Sequence, residues 1–168
     1  MKWIGITGSW RKTNEKLEAE LRDDIEALIK EGNGIVSGGA LGVDYIATDE
    51  ALKHDPKAER IKIILPTSLE IFEKHFFTRA DEGVIKKEQA HMLISQLKKI
   101  KELNPNNLTE MFYDVCNPKT YYARNSQVIA QSDELYAYHV NGSKGTQDTI
   151  DKARSAGMAV KLREYIIS

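Results

Sequence analysis

Three short segments set glycine beside hydroxyl and basic side chains where an apolar run stops: Gly8-Ser9-Trp10-Arg11, Gly38-Gly39-Ala40-Leu41-Gly42 followed by Asp44, and Ser143-Lys144-Gly145-Thr146. A chain without Cβ atoms lets a phosphate or a ribose touch backbone amides. Where a helix opens just after such a segment, its unpaired N–H groups and positive dipole end favour an anion. Arg124-Asn125 adds a planar fork suited to phosphate or carboxylate and an amide that can read a base or ribose edge. Trp10 offers a surface for stacking or apolar cover, and Asp44 and Asp148 are carboxylates able to meet ribose hydroxyls or to sit as acids at a helix start. Simpler roles exist for the same residues: Arg11 and Lys144 as solvated cations, and Arg124 as an ion-pair partner of Asp133 or another carboxylate.

Other chemistries find less support. Cys116 is the only cysteine, which excludes an internal disulfide and a thiolate-rich metal site. His54, His75, His91 and His139 are scattered without ligand spacing, so no metal site is expected and none of them is assigned a catalytic role. The run GITGSWRK is neither a dinucleotide fingerprint nor a P-loop. With 24 Lys and Arg against 25 Asp and Glu the net charge is −1, so no global field favours nucleic acid. Hydrophobic residues at 41% and charged residues at 29% describe a globular chain of one domain, residues 1–168. No apolar run is long enough to span a bilayer, the N-terminus is unlike a signal peptide, and a cytoplasmic location without membrane contact is expected.

The elements that must position these segments alternate along the chain. Residues 2–9 and 34–38 are short apolar runs of the kind buried on both sheet faces, and a third strand, residues 60–68, is expected to stop at Pro66. Leu17, Leu21, Ile25, Leu28 and Ile29 recur at helical spacing, with Thr13 or Asn14 as cap and Gly32 as stop. A second helix follows Gly42 with Val43, Ile46, Ala47 and Ala51 inward. Residues 69–119 read as a helix-rich insertion or lid, with Ile85, Met92, Leu93, Leu97 and Ile100 on one apolar face and a break at Asn104-Pro105. A helix near 120–131, the strand 134–140, a helix from Gly145 to Ala156 and a closing strand complete a three-layer α/β, Rossmann-like fold with a mainly parallel sheet and helices on both faces. With strand order 3-2-1-4-5 the three glycine segments meet at the carboxyl edge, where the order reverses.

The segments GITGSW, IVSGGALGVDYIATDEAL, YYARNSQVIAQSDELYAY and GSKGTQDTIDKARSAGMAV, in this order, resemble the SLOG superfamily and most of all the Smf/DprA-type Rossmann domain of DNA-processing proteins. The likeness covers about two-thirds of the chain and is loose over 69–119. It implies nucleotide or phosphorylated-ligand binding at Gly8, Ser9, Gly38, Gly39, Gly42, Asp44, Arg124, Asn125, Gly145 and Thr146. The related cytokinin-activating branch carries a catalytic glutamate where this chain has Thr149, whose hydroxyl does not titrate near neutral pH. The molybdenum-cofactor carrier branch shares the Gly-Gly and Gly-Val-Asp features. The expectation drawn is a binding protein for a nucleotide or nucleotide-derived phosphorylated ligand, a nucleotide or the molybdenum cofactor being the two candidates, with homo-oligomerisation open and nucleic acid not favoured as partner. The alternatives are an N-glycoside hydrolase using Asp44 or Asp148, and a DprA-like module for single-stranded DNA.

Overall fold

The computed structural model describes residues 1–168. Its six strands are β1 (Trp3–Gly8), β2 (Gly34–Ser37), β3 (Ile61–Thr67), β4 (Leu108–Tyr113), β5 (Glu134–Val140) and β6 (Ala159–Tyr165). They form one sheet in the order β4-β3-β2-β1-β5-β6, and every pairing is parallel. The helices are α1 (Glu15–Lys30), α2 (Val43–His54), α3 (Leu69–Asp81), α4 (Lys87–Leu103), α5 (Pro118–Ala130) and α6 (Lys144–Ser155).

Alternation along the strands divides the core. Ile4, Ile6, Ile35 and Ile63 pack against Leu21 and Ile25 of α1, Ala47 of α2, Phe72 of α3 and Leu97 of α4. Val36 and Ile64, each one residue further along its strand, meet Val128 of α5 on the other face, and Leu135 and Ala137 meet Ile150 and Ala153 of α6. Successive side chains of a strand point to opposite faces, so a sheet covered on both sides reads as a continuous apolar run. The result is the three-layer α/β arrangement that the sequence implies.

Local signals set the helix ends. Asn14 accepts a hydrogen bond from Leu17 N at 2.9 Å and starts α1, and Gly32 at φ +90° follows its end. Asn117 caps α5 through a reciprocal pair with Thr120 at 3.0 Å each way, and Pro118 occupies the first helical position, where no donor is lost.

Three features differ from the sequence reading. Residues 69–119 contain a strand as well as two helices, for β4 joins the sheet at its edge beside β3. Pro66 does not end β3: the strand continues to Thr67, and Pro66 sits at a register shift, where Leu65 faces Glu110 and Thr67 faces Tyr113. A bulge is one place where a sheet tolerates the missing donor. Met92 is 52% exposed, and the buried face of α4 runs through Ala90, Leu93, Ile94, Leu97 and Ile100 instead.

Candidate functional site

Because all strands are parallel, every helix that follows a strand starts at the same edge. The loops after β1, β2 and β5 thereby line one crevice of 1060 Å3, closed on its further side by α5 and by residues from α3 and the α3–α4 connection. Of the residues singled out in the sequence, Gly8, Ser9, Trp10, Arg11, Gly38, Asp44, Arg124, Asn125, Ser143, Lys144, Gly145 and Thr146 line it, and Gly39 and Gly42 do not.

The first loop is held by its own hydroxyl. Ser9 Oγ accepts from Lys12 N at 2.9 Å and from Arg11 N at 3.3 Å, a tight turn that sends the Trp10, Arg11 and Lys12 side chains outward. Trp10 is 42% exposed, and the Arg11 guanidinium lies 5.2 Å from its ring centroid. The second loop is fastened to the first, for Val43 N donates to Ser9 O at 2.9 Å. Gly42 permits this contact: it has φ +69°, and a Cβ there would stand 2.2 Å from Ser9 O. Gly38 has a comparable reason to be glycine, since a Cβ would stand 2.4 Å from Arg124 Cζ. Gly145 is different, with nothing within 4 Å of the space a Cβ would fill. It opens α6, whose N-cap Ser143 makes no capping bond to the helix backbone and turns its Oγ toward Thr146 Oγ1 at 3.0 Å instead. The first amides of α6 therefore lack a side-chain acceptor and face the crevice.

Arg124 lies in the second turn of α5 and is buried at 7% exposure. Its Nη1 donates to Gly38 O at 2.5 Å, its Nε donates to Asn125 Oδ1 at 3.1 Å, and its guanidinium lies 5.3 Å from the Tyr121 ring centroid. This arginine ties α5 to the loop after β2. No bond joins it to Asp133, whose carboxylate accepts from Trp3 N. Asp44, 8% exposed, accepts from Ala40 N at 3.2 Å. Burial pushes its carboxyl up to about 6 and outweighs the opposing pull of the Arg124 charge. Asp148 accepts from Lys152 Nζ at 2.6 Å and from Asn125 Nδ2 at 3.2 Å, contacts that engage its carboxylate between α5 and α6.

Further lining residues were not among the candidate site residues of the sequence. Arg79 and His75 come from α3, and Tyr121 and Tyr122 from the start of α5. Tyr121 Oη and His75 Nε2 are 3.1 Å apart, and burial lowers the His75 pKa, favouring the neutral ring. The ionisable lining thus holds five cationic side chains, Arg11, Lys12, Arg79, Arg124 and Lys144, against one carboxylate, Asp44. Such a lining attracts anions although the whole chain carries −1.

A model of the family described as DNA recombination-mediator protein A matches residues 1–164. Among solved structures the chain is similar to DNA processing protein A from Helicobacter pylori, described for its single-stranded DNA binding mode, at 26% identity and TM-score 0.66. That likeness covers 95% of this chain and 63% of the Helicobacter protein, so the chain spans less than two-thirds of that relative's length. The protein TM1055 shares the fold at 18% identity and TM-score 0.53 over 95% of this chain and 72% of its own. DNA processing protein A from Streptococcus pneumoniae aligns at 14% identity and TM-score 0.49, over 95% of this chain and 58% of its own. No curated protein matches. The family match bears out the Smf/DprA-like resemblance. It also corrects the partner expected from sequence, since the family and the Helicobacter structure point to nucleic acid rather than away from it. The physical source of the error is plain: a net charge is a sum, and cations gathered in one crevice are cancelled in it by acids placed elsewhere.

Proposed function

The chain belongs to the DNA recombination-mediator protein A family, and on that premise we propose that it binds single-stranded DNA along the crevice at the carboxyl edge of its sheet. The observation that carries this reading is the lining itself, five cationic side chains against one carboxylate, with Trp10 and Tyr122 exposed beside them. A strand without a partner presents a charged backbone and unstacked bases together. Proteins that bind it combine a basic groove with aromatic faces, because every base has a π-face and every linkage a charge. Arg11, Lys12 and Lys144 meet phosphates, the uncapped amides of α6 supply further donors, and Trp10 stacks on a base. Arg124 serves the site from behind, by holding the Gly38 loop against α5.

The test is fluorescence anisotropy of a labelled oligo(dT) strand titrated with protein over a range of salt. The three lining cations assigned to phosphates, Arg11, Lys12 and Lys144, give a log–log salt slope of about −2.1 at about 0.7 per neutralised phosphate, Arg79 being paired with Glu82 at 3.0 Å, and each replacement by alanine reduces the slope's magnitude by about 0.7. Trp10→Ala costs about 1–3 kcal/mol of affinity, the range for loss of one stacking platform. Binding whose salt slope is unchanged by the Arg11, Lys12 and Lys144 substitutions overturns the assignment of the crevice, and absence of binding at low salt overturns the function.

A further inference from the structure

The ends of α1 and α2 lie at the amino edge of the sheet, opposite the crevice, because each helix starts at the carboxyl edge and runs back. Glu26 of α1 stands there beside Glu50 and His54 of α2, and one ligating atom from each lies within 4.8 Å of the other two. Glu50 and His54 are four residues apart, the spacing that puts two side chains on one face of a helix. Glu50 is only 7% exposed. Its Oε2 and the His54 Nε2 are both shielded from solvent, and neither makes a hydrogen bond. Lys53 Nζ is 3.1 Å from that carboxylate oxygen, close enough for an ion pair yet outside the geometry of a hydrogen bond. Arg22 is 3.7 Å away and is committed to Asp49 at 2.9 Å.

From this cluster we infer a binding site for a divalent cation of the zinc class, with Glu26, Glu50 and His54 as its three protein ligands. Two solvent-shielded polar atoms, Glu50 Oε2 and His54 Nε2, have no hydrogen-bond partner, and a cation held between them would satisfy both, whereas Lys53 and Arg22 supply charge to the carboxylate alone. An imidazole nitrogen with two carboxylate oxygens suits zinc better than magnesium or calcium, which favour oxygen alone. Three protein ligands leave a fourth position for water. Ligand separations, none greater than 4.8 Å, need to close to about 3.4 Å for bonds of about 2.1 Å. Lys30 Nζ pairs with Glu26 and Lys53 Nζ with Glu50, and these lysine side chains, 62% and 56% exposed, are free to turn into solvent as the cation takes their place. The four histidines show no ligand spacing among themselves. The signal lies in the Glu50-x-x-x-His54 spacing, completed by a glutamate from another helix.

Isothermal titration of the chelator-treated full chain with zinc chloride tests this, with magnesium and calcium chlorides run alongside. One zinc per chain is expected, with magnesium and calcium weaker by at least tenfold. Removing even a residue that supports a metal ligand costs about 10- to 100-fold in affinity, and His54→Gln and Glu50→Gln each weaken zinc by no less. Circular dichroism melts of the metal-free proteins separate a ligand from a structural pair. His54→Gln leaves the metal-free melting temperature within about a degree of the wild type and loses the zinc-induced rise. Failure of the folded wild type to bind zinc overturns the inference. So does zinc binding undiminished in His54→Gln, or a fall in its metal-free melting temperature with the zinc-induced rise intact. Oligonucleotide affinity does not change in either variant, which separates this site from the crevice.

Discussion

Replacing Asp44 with asparagine isolates the one carboxylate in the crevice lining. Its side chain is 8% exposed and accepts from Ala40 N, and Arg124 spends Nη1 on the Gly38 carbonyl instead of on this carboxylate. Burial therefore wins over the nearby charge and the carboxyl rises from 3.8 to about 6. Between about pH 6 and pH 4 the folded chain holds a proton that the unfolded chain has released, so this group's contribution to stability grows as pH falls through 6. That sign is opposite to the one expected for Asp24 and Glu110, whose carboxyls are held below their usual range by hydrogen bonds from Arg163 and Lys101 and lose stability on acidification. The total pH curve mixes the two, and the difference between wild type and Asp44→Asn removes the second.

A rise of about 2 pKa units corresponds to about 3 kcal/mol at about 1.4 kcal/mol per unit. Urea unfolding at pH 7.5, 6.5, 5.5 and 4.5 should find the asparagine variant most favoured, relative to wild type, at pH 7.5. That relative advantage should decline by about 3 kcal/mol toward pH 4. Protonation also removes the only anion in the lining, so oligo(dT) affinity should rise between pH 7.5 and 5.5 in the wild type beyond any rise in the variant. A stability difference that stays flat, or that grows in favour of the variant as pH falls, would show Asp44 ionised and paired with Arg124 throughout. Burial would then not be the controlling term.

Gly42→Ala should cost more than about 3 kcal/mol, because the left-handed backbone costs about 1–2 kcal/mol and the Cβ would also stand 2.2 Å from Ser9 O, a backbone atom that cannot step aside; a melting temperature within two degrees of wild type would refute it. Arg124→Met should destabilise by about 3 kcal/mol, since it leaves the Gly38 carbonyl without its donor and Asp44 without its nearest cation, and a loss of oligonucleotide affinity at unchanged stability would instead make Arg124 a phosphate ligand. Thr48→Val should stabilise by about 1 kcal/mol, because the Thr48 hydroxyl is buried at 1% exposure without a partner and valine keeps the shape without the unmet bond; chemical denaturation that finds Thr48→Val less stable would imply a water or backbone partner for it.

What the sequence made legible is what local physics controls. The apolar run to Gly8, the helical spacing from Leu17 to Ile29 and the Asn14 cap each follow from neighbours within a few residues, and parallel order brought three loops to one edge. β4 escaped notice because it is an edge strand: Thr109, Glu110 and Phe112 face solvent, so neither a continuous apolar run nor a clean alternation marks it. Arg79 and His75 reach the crevice only because α3 packs over the sheet, and nothing near them in the chain announces it. Glu26 and His54 meet across two helices, a contact that no spacing within one helix can show.

The glycines that first drew attention to the crevice have two different duties, and the difference decides how the site is to be probed. Gly8, Gly38, Gly39 and Gly42 are each closed off by protein: a Cβ would meet Val43 and the Tyr138 carbonyl, the Arg124 guanidinium, the Leu65 and Ile63 side chains, and the Ser9 carbonyl respectively. These four let the loops interlock and fix the floor of the crevice, so substitutions there act on the fold before they act on any ligand. Gly145 alone among the five candidate-site glycines opens onto free space, at the uncapped start of α6. A methyl group at Gly145 meets nothing in the protein and has φ in the ordinary range, so Gly145→Ala should fold as well as wild type or better by about 0.4–1 kcal/mol, through the loss of freedom in the unfolded chain. If a DNA phosphate approaches those amides, the same methyl group stands in its way, and oligo(dT) affinity should fall at least about fivefold, a loss of about 1 kcal/mol. Unchanged affinity in a folded Gly145→Ala protein would remove the α6 amides from the proposed path of the strand and leave the contacts to Arg11, Lys12 and Trp10 in the loop after β1.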